Sequence, residues 1–187
     1  MVVARVVVGM ALLSVASSSR TDLVVLDPSC SDRVTEMFRI VSTDCLYRRF
    51  FRHVVTVDQF RDAVLKSDDF ERLSLGAMVD GRLVGIAQYA RRPQATTADM
   101  AILVADAWQR QDLGTQLVPA LALLALARGV HQFAVSLQLD NPSALRLIRR
   151  LAPSTRLVLV GGGVAEAAIS LLNIKPSTIQ AEPPWLS

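Results

Sequence analysis

The residues best placed to do chemistry lie where a strand-like run turns into a long apolar helix, V-A-D-A-W-Q-R-Q-D-L-G-T-Q-L, Val104 to Leu117. A strand feeding a helix through a polar turn is an anion-binding device. The first helix amides have no partner inside the helix, and the helix dipole favours negative charge at that end. Asp112 is a good helix N-cap and can fill the anion position itself. Arginines cluster at Arg48, Arg49 and Arg52, and again at Arg146, Arg149 and Arg150. Each cluster reads either as a solvated helix face or as an anion-binding rim. Cys30 and Cys45 form no CxxC and no Cys/His spacing, so a zinc site is not expected. No histidine stands near either cysteine in sequence, which speaks against a cysteine nucleophile.

These residues must be carried by a globular scaffold. The 187 residues suit one domain, 51% of them are apolar and 20% charged, and the net charge is +3. That charge is too small to imply nucleic acid, and none is expected as a partner. Two cysteines make no disulfide framework, and a reducing cytoplasm is the simplest location. Residues 1–22 are an apolar segment of open status: an added strand or packed segment, a signal or anchor, or a loose extension. The run is short for a membrane span and Arg5 interrupts it, so no membrane is expected.

Leu23 to Leu26 reads as a strand closed by Asp27-Pro28. Ser31 is placed to cap a helix with Val34, Met37, Phe38 and Val41 on one face. Ser42-Thr43-Asp44 restarts the chain into CLYRRFF, with Leu46, Tyr47, Phe50 and Phe51 turned inward. Thr56 and Gln59 have capping-box spacing. LSLGAMV and RLVGIAQYA form two strands around an Asp80-Gly81 turn, and DMAILVA is a third. After the polar connection DAWQRQD comes the long helix to Gly129, with Pro119 in its first turns. A strand (FAVSLQL), a helix (NPSALRLIRRL), a strand (RLVLV), a triple-glycine turn and a last strand (VAEAAISLL) follow. The order predicts an α+β domain over 23–172, a central, mostly antiparallel sheet flanked by helices, with a Pro-rich tail at 173–187.

The junction resembles the acetyl-CoA pyrophosphate loop of the GCN5-related N-acetyltransferase (GNAT) family, Gln or Arg, two residues, Gly, one residue, Gly or Ala. Gln109 fits the first position and Gly114 the last, with Thr115 and Leu117 continuing in the family's style. The middle glycine is replaced by Asp112. A carboxylate about 4 Å from a phosphate repels it by roughly 4 kcal/mol at an effective dielectric near 20, which Arg110 could offset in part. STDCLYRRFF, Ala98-Asp99-Met100-Ala101 and Trp108-Gln109 are similar to segments of a bacterial subgroup that includes protein-lysine acetyltransferases. Asn141, opening its helix, resembles the family residue that helps hold pantetheine.

The resemblance implies a GNAT-like fold and acetyl transfer from acetyl-CoA, as cosubstrate, to an amine, possibly a protein lysine. It implies cofactor contacts at Leu103, Val104, Gln109, Arg110, Gln111, Asp112, Leu113, Gly114, Thr115 and Asn141, and no metal. Asp99 would be the general base where the subgroup tends to have Glu, directly or through water, or it simply caps the start of its strand. The amides of Leu103 and Val104 would face the thioester. The family's tyrosine proton donor is replaced by Ile148, with Tyr47 and Tyr89 unplaced. A second reading follows from Asp112, Asp99 and Ile148: a degenerate GNAT-fold protein that binds acyl-CoA or serves as a regulatory interaction module.

Overall fold

The computed structural model describes residues 2–8, 11–17, 21–66, 71–174 and 179–180, with the backbone alone for 2–17 and 179–180. Strands β1 (Val2–Val8) and β2 (Ala11–Ser17) precede β3 (Thr21–Val25). Three helices follow, α1 (Ser31–Ile40), α2 (Thr43–Phe50) and α3 (Val57–Leu65). Then come the meander β4 (Arg72–Val79), β5 (Arg82–Ala90) and β6 (Thr97–Val104) and the helix α4 (Leu113–Leu126). The chain continues through β7 (Gln132–Gln138), α5 (Pro142–Leu151), β8 (Val158–Gly161), β9 (Val164–Ser170) and β10 (Ile179–Gln180).

The strands form one sheet in the order β10-β2-β1-β3-β4-β5-β6-β7-β9-β8. Only the β1–β3 and β6–β7 pairs are parallel. This is the mostly antiparallel α+β sheet that the order of elements predicts. Its centre, β4 and β5, is buried along nearly its whole length on both faces. One face packs Leu75, Tyr89 and Phe133 with Leu117 and Leu121 of α4. The other packs Leu83, Ile86 and Leu103 with Val34, Met37, Leu46 and Phe60 of the first three helices. A sheet covered on both sides explains why these strands read as continuous apolar runs.

Local signals act as the sequence dictates in most places. The Thr56 hydroxyl accepts from the Gln59 amide while the Gln59 side chain accepts from the Thr56 amide, a complete capping box. Asp80 and Gly81 both have positive φ, the geometry of a two-residue hairpin turn. Three expectations are corrected. The cap before α1 is Asp27, whose carboxylate accepts from the Ser29 amide and starts a short 3-10 turn, so Ser31 is already helical. Phe51 is 44% exposed because the chain turns left-handed there to end α2, so its ring leaves the core. VAEAAISLL is not the final strand, since β10 pairs with β2. The rest of the Pro-rich tail lies outside the described residues, as do residues 1, 9–10 and 18–20. No helix among the described residues is long and apolar enough to cross a membrane.

Candidate functional site

The parallel pair β6–β7 is joined only at Thr97–Gln132, Ala98–Phe133 and Asp99–Ala134. Beyond Asp99 the two strands part. β6 stays paired with β5 up to Val104, and β7 stays paired with β9. The gap opens into a cleft of about 1340 Å³ between α2, the start of α4 and α5. Asp99, Leu103, Val104, Gln109, Arg110, Asp112, Leu113, Gly114, Thr115 and Asn141 all line it. Gln111 does not; its side chain donates to the Ala107 carbonyl at 2.8 Å and stiffens the turn.

The direction of the β6 backbone can be read from its end. The Ala105 amide donates to Val84 of β5 at 2.9 Å. Antiparallel strands alternate, so the Leu103 amide also points at β5 and the amides of Ile102 and Val104 point into the gap. The expectation for Leu103 is corrected on this point. Its side chain is buried under α1 and α2, and its N–H belongs to the sheet.

The loop after β6 is held by side chains that fold back on it. Gln109 donates to the Val104 carbonyl at 3.2 Å and to Cys45 Sγ at 3.0 Å. Arg110 and Asp112 both have positive φ, 62° and 58°. That conformation accounts for a glycine preference at the Asp112 position. Asp112 sits at the N-cap of α4 but makes no cap bond with its side chain. The carboxylate instead turns outward and pairs with Arg150 of α5 at 2.6 Å. It therefore does not fill the anion position, and Arg150 rather than Arg110 balances its charge. The Thr115 and Gln116 amides both close on the Asp112 carbonyl, so the amides just before them are the free donors of the helix end. A Cβ on Gly114 would lie 3.1 Å from Leu147 of α5. Close packing of α4 on α5 thus leaves little room for a side chain there.

Asn141 caps α5, its carbonyl oxygen accepting from the Ala144 amide at 3.1 Å. Its amide nitrogen is left for the cleft. Asp99 is exposed and makes no ion pair among the described residues. Tyr89 is core, stacked near Phe133, and Tyr47 stacks on His53. No group of three His, Cys, Asp or Glu among the described residues is placed to hold a metal ion.

One cluster gave no sequence signal. Asp106 accepts from the Ser42 amide at 2.9 Å, the Ser42 hydroxyl at 2.8 Å and the Cys45 thiol at 3.3 Å. It ties the start of α2 to the end of β6. Burial acts to raise the Asp106 pKa, but the Ser42 and Cys45 hydrogen bonds outweigh it and leave the carboxyl below its ordinary value. Burial pushes the Cys45 thiol up, and the Asp106 carboxylate adds to that. The partners lie more than sixty residues apart, beyond the reach of any spacing rule.

A sheet split at one parallel pair, with a helix N-terminus at the mouth of the split, defines an acyl-CoA N-acyltransferase fold. The chain belongs to the Acetyltransferase (GNAT) family, whose model matches residues 35–152. Among curated proteins, none matches. Among solved structures, the GNAT domain of S. lividans PAT is 18% identical, with 85% of this chain and 90% of that chain covered and a TM-score of 0.70. Spermidine N-acetyltransferase from Vibrio cholerae, solved with CoA and spermine, is 12% identical, with 82% and 96% covered and a TM-score of 0.63. The cAMP-binding acyltransferase from Mycobacterium smegmatis is 22% identical with a TM-score of 0.55; 92% of this chain covers 47% of that one. At these identities the likeness speaks for the fold.

Proposed function

We propose that the protein transfers an acetyl group from acetyl-CoA to an amine. The observation that carries this is the one-sided gap beyond Asp99, where β6 offers unpaired amides beside the free N-terminus of α4. The α4 amides and the turn from Gln109 to Thr115 receive the pyrophosphate. Asn141 and the gap hold pantetheine. The Val104 amide donates to the thioester carbonyl as it becomes an oxyanion.

An ammonium of pKa near 10.4 must lose its proton before it attacks. Asp99 takes that proton through a water. The nitrogen then bonds to the carbonyl carbon and gives up a second proton to water, the C–S bond breaks, and CoA leaves as a thiolate. Ile148 has no proton to give, so solvent protonates the thiolate, which is a tolerable leaving group at an ordinary thiol pKa of about 8.5. The free thiols Cys30 and Cys45 fit a reducing cytoplasm.

Acetyl-CoA raises the melting temperature, since a ligand of the native state must stabilise it, and CoA release is seen with an amine panel. Binding without turnover on any amine would move the protein to the second reading, an acyl-CoA-binding regulatory module. Absence of binding would end both.

A further inference from the structure

The half of the cleft away from the helix N-terminus is built around one cation. Arg49 on α2 donates through Nη2 to the Gln88 carbonyl oxygen at 2.7 Å. Gln88 is buried, and its amide nitrogen donates to the Ser74 hydroxyl and the Ala63 carbonyl, each at 2.8 Å. The Ser74 hydroxyl donates onward to the Val64 carbonyl at 2.6 Å. Both donors of Gln88 are spent on fixed acceptors, so its oxygen can only face the guanidinium. Ser74 and Gln88 are directly opposed on β4 and β5. The guanidinium is thus anchored to the sheet rather than free to swing.

Among the described residues this anchored charge has no counter-ion. The ion pairs among the described residues involve Arg48, Arg61 and Arg150, and none involves Arg49. Gln88 is neutral. Arg49 also lies 4.9 Å over the Phe50 ring. Burial brings its pKa down from 12.5 to about 10, so it remains a cation at neutral pH. Charges removed from water are normally paired. Lys66 and Arg72 line the cleft with it, and the Asp44 carboxylate on α2 lines it too but forms no ion pair with Arg49.

The position relative to Asp99 decides what such a cation could bind. On β6, Ala101 is opposite Gln88 and Asp99 is opposite Ala90. Asp99 and Gln88 therefore lie on one face as diagonal neighbours, about 7–8 Å apart. Asp99 and the guanidinium held by Gln88 thus line one cleft on the same face of the sheet, a carboxylate and a cation on neighbouring strands' side chains. A polyamine or a lysine on a basic surface would bring more positive charge to this end. An acceptor with its own carboxylate would supply the missing counter-ion.

We propose that the acceptor is a small amine bearing a carboxylate, an amino acid or ω-amino acid, whose carboxylate pairs with Arg49 while its amine faces Asp99. This rests on the acetyltransferase reading and replaces protein lysine as the acceptor. Acetylation of 4-aminobutyrate is compared with that of butylamine and of a lysine peptide. The carboxylated amine is used with a kcat/KM at least tenfold above both. Arg49→Met removes the advantage through KM, with a loss on 4-aminobutyrate at least tenfold larger than on butylamine, and Arg49→Lys restores part of it. Acetyl-CoA raises the melting temperature of both variants as it does that of the parent, which checks their fold. Butylamine or the peptide used as well as 4-aminobutyrate overturns the proposal, as does an equal loss on all acceptors in Arg49→Met. Calorimetric titration with 4-acetamidobutyrate against N-butylacetamide, with and without CoA, reads the carboxylate without turnover. Preference for the acid is expected, and equal affinity overturns it. Absence of any acetyl-CoA effect on melting sinks the acetyltransferase reading alone, because this titration still reports on Arg49.

Discussion

The two ends of the cleft handle charge in opposite ways. At the α4 end the recognition elements are backbone amides, and the one carboxylate of the turn, Asp112, is exposed and neutralised by Arg150. At the α2 end the recognition element is a side chain, partly withdrawn from water and with no partner anion among the described residues. Backbone recognition of this kind depends on the path of the chain and tolerates many residues. Side-chain recognition depends on identity. The difference assigns what is common to a family to the first end, and what singles out an acceptor to the second.

The largest effect that would sharpen this division comes from Asp99→Asn. Turnover falls by about 10²–10⁴-fold, while acetyl-CoA raises the melting temperature as before. A parallel loss of acetyl-CoA binding would show that Asp99 serves the fold of the cleft rather than the reaction. Gly114→Val comes next. Its side chain meets Leu147 where a Cβ has 3.1 Å, and overpacking of this kind costs about 1–3 kcal/mol. The first turn of α4 shifts with it, so acetyl-CoA binding weakens by about tenfold or more in calorimetry.

Asp106→Asn tests the link between the two ends. The folded pKa of Asp106 is lowered, so its contribution is present above the unfolded carboxylate value near 3.9 and is lost as pH falls through the folded value. The group is exposed, which limits the effect to about 1 kcal/mol, or about 2–4 °C in melting temperature at pH 7. The gap between variant and parent closes as the buffer is taken below pH 4. A gap independent of pH would mean that charge is not what Asp106 supplies. The smallest effect is expected from Asp112→Gly. It relieves the left-handed strain and frees Arg150 for a phosphate, so acetyl-CoA binds a few-fold more tightly in the same titration. Weaker binding would show that the Asp112–Arg150 pair holds the loop in shape.

The first end of the cleft was legible in the sequence and the second was not. The Val104–Leu117 turn, the Thr56–Gln59 box and the Asp80-Gly81 hairpin are all contacts within a few residues, where spacing is the relevant variable. Arg49, Gln88, Ser74 and Val64 come together from three separate segments, and no spacing announces them. The Leu103 and Val104 amides mark the boundary between these cases. The strand itself was readable, but which N–H faces the gap depends on which neighbour pairs with β6. The resemblance also raised Asp112 as an obstacle, because sequence cannot reveal that a carboxylate is turned aside to an arginine 38 residues away.

The strand β8 has a consequence for how the protein keeps its own company. It forms one margin of the sheet and shows Val158, Leu159 and Val160 to water, each more than half exposed. A long flat margin of this composition would template the addition of a strand from another molecule. Here the strand is only four residues long, and its pairing with β9 slips between Leu159 and Gly161. Brevity and a kink are what restrain self-assembly at this margin, since polarity does not. Lengthening or straightening β8 would make this margin a template for strand addition, even with the cleft left intact.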